Sequence, residues 1–195
     1  MILYGASGHA KVIIDICEIN KENNLRIIDD NKEVTTLLNY PVTQIEHINV
    51  NKEKFIISIG NNKTRKKIAN KLQSDYGIAI HPSTTIDKTV TIDSGTVVMA
   101  GTVINSSVKI GKHCIINTSS SLDHDCNLED FVHISPKATL CGGVKVGEGS
   151  HIGAGAVIIP NIQIGKWCIV GAGSVIINDI PDGKTVVGNP SRIIK

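Results

Sequence analysis

A chain of 195 residues with a formal charge of +2 and 41% hydrophobic residues holds either one domain or two small ones. Near-balanced charge without an aromatic and basic surface argues against nucleic acid as a partner, and no apolar run is long enough to span a bilayer. Gly5 cuts the first apolar stretch short and no basic leader precedes it, so no signal peptide is expected; five cysteines cannot all pair, and Cys114, Cys126 and Cys168 are expected to be core thiols in a reducing cytoplasm.

Met1–Tyr4 predicts a buried strand, Gly5-Ala6-Ser7-Gly8-His9 a tight turn, and residues 10–20 a helix with apolar Val12, Ile13, Ile16, Cys17 and Ile19. Leu25–Ile28 predicts a second strand that ends in Asp29-Asp30. A strand, glycine turn and helix in this order aim backbone N–H groups and the positive helix end at a phosphate, which makes Ser7, Gly8 and His9 candidate substrate ligands. Asp29 and Asp30, about 20 residues on, stand where a ribose or base is gripped. Gly5-x-x-Gly8 lacks the three-glycine dinucleotide fingerprint, and 80 residues are too few for a two-lobed domain, so one Rossmann-like mononucleotide-binding half is expected. Phe55–Ile59 predicts a third strand feeding a second polar loop, Gly60-Asn61-Asn62, and then a helix. Lys63–Lys67, with Arg65 and Lys66, is the one basic cluster and is expected to be a solvated helix face. Between residues 23 and 54 nothing beyond Asp29-Asp30 carries a functional reading.

Charged residues thin out near Ile80–Pro82, which divides residues 1–80, whose loops are expected to bind a nucleotide or nucleotide sugar unless they are plain turns, from a second unit, residues 81–195. From Ile80 to Ile176 an aliphatic residue returns at every sixth position, seventeen times without a skip, and four places after each stands a small or modest side chain such as Thr96, Cys114, Ser120, Ala138 or Ser174. A period of six fits neither a helix nor an alternating strand; it is the signature of a β-solenoid of hexapeptide repeats. Three hexads make one triangular turn, turns stack at ~4.8 Å, and residues 18 apart lie above one another. The scarcity of aromatic residues suits a narrow core of Ile, Val and Leu.

The register places His124 on a corner beside Asp125, with Ser106 and Gly142 as its vertical neighbours. Small residues above and below leave room for a substrate to reach the imidazole, and an adjacent carboxylate orients the ring and raises its basicity. His133 and His151 lie one turn apart and should stack.

The hexad run resembles the left-handed parallel β-helix of the hexapeptide-repeat acyltransferases, and the handedness rests on that resemblance alone. Gly5-Ala6-Ser7-Gly8-His9, Asp29-Asp30, Ile59-Gly60-Asn61-Asn62, Asn117-Thr118-Ser119-Ser120, His124-Asp125-Cys126 and Phe131-Val132-His133-Ile134-Ser135-Pro136 resemble the sugar O/N-acyltransferases, typified by bacterial sialic acid O-acetyltransferases and the N-acetyltransferase of bacillosamine biosynthesis. The tail Val187-Gly188-Asn189-Pro190-Ser191-Arg192 is similar to the Gly-x-Pro-Ala-basic ending of many such enzymes, with Ser191 where alanine is usual. The resemblance implies a homotrimer with sites between coils, acetyl-CoA as co-substrate and no metal. It implies His124 as general base, supported by Asp125, and Asn117 as a substrate ligand. For the oxyanion, the Gly142 N–H is the candidate donor by its place above His124. His133, Ala154, Ala172, Pro190 and Arg192 match the coenzyme A surface.

The leading expectation is therefore an acetyl-CoA-dependent N-acetyltransferase acting on a nucleotide-linked amino sugar, best fitted by UDP-4-amino-4,6-dideoxy-N-acetylglucosamine. O-acetylation of a sialic acid would use the same base and donor. A γ-type carbonic anhydrase would need two histidines five residues apart among its zinc ligands, whereas the gaps among His113, His124, His133 and His151 are eleven, nine and eighteen. A non-catalytic solenoid explains the hexads but not the joint presence of Asn117, His124-Asp125 and His133.

Overall fold

The computed structural model describes residues 1–47 and 53–195. The N-terminal part is a sheet of β1 (Ile2–Tyr4), β2 (Arg26–Ile28), β3 (Thr36–Leu37), β4 (Tyr40–Thr43), β5 (Lys54–Ile57) and β6 (Asp75–Tyr76), with helices α1 (Gly8–Ile19) and α2 (Asn62–Leu72). Strand order is β3-β4-β2-β1-β5-β6, parallel except for the β3–β4 pair. The three central strands are apolar apart from the exposed Arg26 and Lys54 at the starts of β2 and β5, because both sheet faces are covered there. Leu3, Ile27 and Ile56 pack with Ile13, Ile14 and Cys17 of α1, while Ile2, Tyr4, Phe55 and Ile57 pack with Ile68 and Ala69 of α2. Three expectations are corrected. Helix α1 starts at Gly8, its apolar Val12 and Ile19 are exposed because the buried stripe runs through Ile13, Ile14, Ile16 and Cys17, and β5 stops before Ile59.

From Ala79–Ile80 to Val175–Ile176 seventeen two-residue strands follow, each ending on the aliphatic register residue. They form three parallel sheets, the sides of a triangular prism, and partners are offset by 18 residues throughout, as Ile116 with Ile134 and Leu122 with Leu140. The first side carries Ala79, Val97, Ile115, His133, His151 and Ile169 on its outer surface, the second Val103, Ser121, Thr139 and Val157, the third Lys109, Asn127, Lys145 and Gln163. The interior is a column of register aliphatics interleaved with Val108, Cys114, Cys126, Val132, Ala138, Val144, Ala156 and Cys168.

Corners turn through the left-handed backbone region at every sixth residue from Gly95 to Gly173, with φ between 55° and 78°. Side-chain-bearing residues there, such as Asp125, Phe131, Lys137 and Trp167, accept a conformation that glycine adopts without cost. A strand at Thr185–Val187 and an antiparallel one at Arg192–Ile193 extend the first side and close that end. The N-terminal unit docks on the other end of the first side, where Ala79, Val97 and Ile115 join the α1 core.

Candidate active site

His124 and Asp125 lie on the corner between the second and third sides. Asp125 occupies the left-handed position, φ 61°, a conformation aspartate tolerates better than most side chains, and this turns its carboxylate back onto its neighbour. Asp125 Oδ2 lies 2.8 Å from His124 Nδ1. With that nitrogen bearing the proton, Nε2 presents its lone pair outward. The Asp125 hydrogen bond first, and then the charge of Asp123, raise the imidazole pKa above its ordinary value. The His124 N–H donates to Asp123 Oδ1 at 2.8 Å, and that oxygen also accepts from Asn105 Nδ2 at 2.8 Å. Both side chains of the pair remain open, 58% and 66% exposed.

Gly142 sits over the ring. A Cβ placed there would come within 2.6 Å of both Cε1 and Nε2 of His124, so only glycine admits this imidazole position. The next residue fixes the column, Gly143 N–H donating to the His124 carbonyl at 2.9 Å. Gly142 is buried against the ring, and among the described residues its N–H has no acceptor.

A second polar group lies on the opposite surface of the prism. His133 and His151 stack as the 18-residue offset requires, with centroids 4.6 Å apart and planes 2° from parallel. His133 Nε2 lies 3.2 Å from Asn117 Nδ2, and His151 Nε2 lies 2.7 Å from Ser135 Oγ. His9 reaches over from α1, its ring centroid 6.5 Å from that of His133. Burial lowers the pKa of His9 to about 4 and of His133 to about 3, with the positive charge of Arg65 adding to both. These rings are therefore neutral near pH 7. A cleft of about 500 Å³ opens beside them, lined by Gly60, Asn61, Lys63, His133, His151 and Trp167.

The N-terminal loops converge at the carboxyl ends of β1 and β5, where strand order reverses, the place where ligands bind in open α/β sheets. Ser7 caps α1 without a side-chain bond, and no acidic residue occupies the first turn, so the helix end is free for an anion. Asp29 Oδ2 accepts from the Ala6 N–H at 2.7 Å, and Asp30 Oδ1 accepts from the Tyr4 hydroxyl at 2.7 Å. The acidic pair thus shapes the glycine turn, and among the described residues one Asp30 oxygen has no hydrogen-bond donor. Ser58 Oγ donates to the Gly5 carbonyl at 2.6 Å and ties the two loops together. Asn61 caps α2, accepting from the Thr64 N–H at 3.0 Å. The Asn62 amide, expected to face substrate, instead donates to the coil carbonyls of Gly149 and Ser150 at 2.9 and 3.2 Å.

Ala154 and Ala172 stand one above the other on the corner between the first and second sides, the Gly173 N–H donating to the Ala154 carbonyl at 2.8 Å. Both are exposed, as are Pro190 and Arg192 beyond the last turn. The structure thus brings His9, Asn117 and His133 together and Gly142 onto His124. It does not bring the two groups together: His124 lies on the corner facing away from the side that bears His133.

Sequence reasoning missed Arg65. The basic cluster is solvated at Lys63 and Lys67, but Arg65 is 1% exposed at the junction of the two units. The reason is a set of carbonyl acceptors that no local pattern reveals. It also missed Asn105 and Asp123 beneath His124, though the 18-residue offset between them was signal enough.

Residues 1–72 match the PglD N-terminal domain family, and residues 125–159 and 150–178 match the bacterial transferase hexapeptide (six repeats) family. PerB from Caulobacter crescentus, solved in complex with CoA and GDP-perosamine, is 34% identical with a TM-score of 0.91, the match covering 100% of this chain and 96% of that one. The acetyltransferase domain of PglB from Neisseria gonorrhoeae, solved with acetyl coenzyme A, is 34% identical with a TM-score of 0.93, over 99% and 98% of the two chains. A curated relative, UDP-N-acetylbacillosamine N-acetyltransferase of Bacillus subtilis, is 42% identical over 101 residues; the match spans 46% of this chain and 46% of the relative. The N-terminal sheet is Rossmann-like and the coil is a left-handed parallel β-helix.

Proposed function

We propose, from the premise that this chain belongs to the hexapeptide-repeat sugar acyltransferase family, that it transfers the acetyl group of acetyl-CoA to the amine of a nucleotide-linked amino sugar. The observation that carries this reading is His124, held through Nδ1 by Asp125 with Nε2 beneath Gly142. The sugar amine attacks the thioester carbonyl while Nε2 takes its proton. The tetrahedral oxyanion accepts the Gly142 N–H, and its collapse breaks the carbon–sulfur bond and releases the thiol of coenzyme A with the proton from the imidazolium. No covalent enzyme intermediate is needed.

Because His124 and the His133 side face away from each other within one chain, the reaction centre forms between copies. A homotrimer closes this arrangement: the His124 corner of one copy faces the side of the next that carries Asn117 and His133. Partly exposed Cys141, Ile159 and Ile177, which continue the Asp123 column, supply apolar surface for such packing. His133, Ala154, Ala172, Pro190 and Arg192 hold coenzyme A, contributing backbone more than side chain at the two alanines. The nucleotide binds residues 1–80 at Ser7, Gly8, Asp29, Asp30, Gly60 and Asn61, with His9 between it and the coil. We assign UDP-4-amino-4,6-dideoxy-N-acetylglucosamine as acceptor, supported by the Bacillus relative, and place the protein in a reducing cytoplasm, which fits its five free cysteines.

Acetyl transfer is tested by mass spectrometry with that UDP sugar, GDP-perosamine and free sialic acid, for wild type and His124→Ala. Wild type alone should acetylate a nucleotide amino sugar. Product only from sialic acid would replace the reading by O-acetylation, and silence with all three would remove it.

A further inference from the structure

The junction between the two units is built around one guanidinium. Arg65 has five N–H donors and each meets an oxygen. Nε donates to the His113 carbonyl at 2.8 Å; Nη1 donates to the carbonyls of Ile59 and Gly60 at 3.0 and 3.2 Å; Nη2 donates to Asn62 Oδ1 at 2.8 Å and to the Phe131 carbonyl at 3.0 Å. No carboxylate takes part. The coil carbonyls belong to corners 18 residues apart, and through its own amide Asn62 adds Gly149 on the next turn. One Arg–Asn pair therefore grips three successive turns on one side and the loop after β5 on the other. That loop, at Gly60 and Asn61, is one wall of the cleft whose floor is His133 and His151.

We infer that Arg65 is a positioning residue for the acceptor: by fixing the Ile59–Gly60 carbonyls against the His113 and Phe131 corners it sets the width of the cleft and the reach from bound nucleotide to reacting amine. This rests on the proposed function. The physical argument is one of stiffness. A planar fork with five matched acceptors fixes an orientation, whereas a lysine ammonium has three donors at a point and cannot span carbonyls on both sides of the junction. Coenzyme A, expected on the Ala154 and Ala172 corner, reaches this cleft only at His133, to which Arg65 makes no hydrogen bond.

Arg65→Lys should lower kcat/KM for the UDP amino sugar about 10-fold or more, mainly through KM, while KM for acetyl-CoA stays within about twofold. Asn62→Ala should show the same split in weaker form and serves if Arg65→Lys does not fold. Amide hydrogen exchange of residues 59–62 should rise in either variant while exchange in the coil interior stays put. A lower Tm with unchanged KM for the sugar, or equal losses toward both substrates, would overturn the assignment. If wild type acetylates no nucleotide sugar, the proposed function fails and exchange decides the clamp alone: faster exchange supports it, unchanged exchange ends it.

Discussion

His124 stands in solvent on a corner, so its replacement tests chemistry with little disturbance of packing. His124→Ala should lose on the order of 10²–10⁴-fold in kcat, the range general bases contribute, with an unchanged Tm. An equal kcat would remove it as the base. The pH profile carries more information. The neutral ring is the active form, so kcat/KM should rise with pH through an inflection above the ordinary histidine value of about 6.5, since Asp125 and Asp123 both favour the imidazolium. Asp125→Asn removes the larger of these influences and should move the inflection to lower pH; an unmoved inflection would deny Asp125 its part in tuning the base. Gly142→Ala keeps the N–H but sets a methyl where the imidazole now lies, 2.6 Å from Nε2. The ring must swing away, and activity should fall about 100-fold while the coil melts as before.

At the scale of the element, the hexad carries its own register: a one-residue slip would turn every buried Ile or Val outward, so seventeen repeats state side, corner and vertical neighbour together. This is why the stacking of His133 on His151 and the seat of His124 under Gly142 were legible. The corners were less so. Their left-handed residue is glycine at some turns and Lys137 or Trp167 at others, and nothing local to those side chains announces a positive φ. The exposed Lys137, φ 58°, gives a clean test. The left-handed region costs an L-residue roughly 1–2 kcal/mol, and glycine gives back about 0.5–1 kcal/mol in lost chain entropy. Lys137→Gly should therefore stabilise the coil by up to about 1.5 kcal/mol, and Lys137→Val, branched at Cβ, should destabilise it. Thermal denaturation should rank the variants Gly, Lys, Val; the reverse order would mean that the corner is not held in this conformation.

For the whole molecule the instructive place is the junction, where sequence reasoning did worst. Arg65 sits among Lys63, Lys66 and Lys67, and only the folded coil supplies the carbonyls that bury it; the partners lie 48 and 66 residues away. The same burial puts neutral histidines around a fixed positive charge: His9, His113 and His133, and with them His151, whose pKa is lowered by the same two causes. His113 is pressed between Tyr76, edge-on at 4.3 Å, and Phe131, stacked at 5.0 Å, and burial followed by the charge of Arg65 lowers its pKa to about 4, against a smaller opposing effect of Asp130. His9 at about 4 and His133 at about 3 share the same two influences. In the unfolded chain His9, His113 and His133 take up protons below about pH 6.5, while in the folded protein they resist until pH 4 or lower. The unfolded state therefore binds more protons throughout that window, and stability is lost as pH falls from about 6.5 toward 4. His113→Asn keeps a residue that tolerates the left-handed corner and removes one of these titrations. Its Tm at pH 7.5 should be lower than wild type, because the aromatic sandwich is gone, yet its fall between pH 6.5 and 4.5 should be shallower. Parallel curves would show that His113 is not what makes the junction acid-labile, and would move that role to His9, His133 and His151.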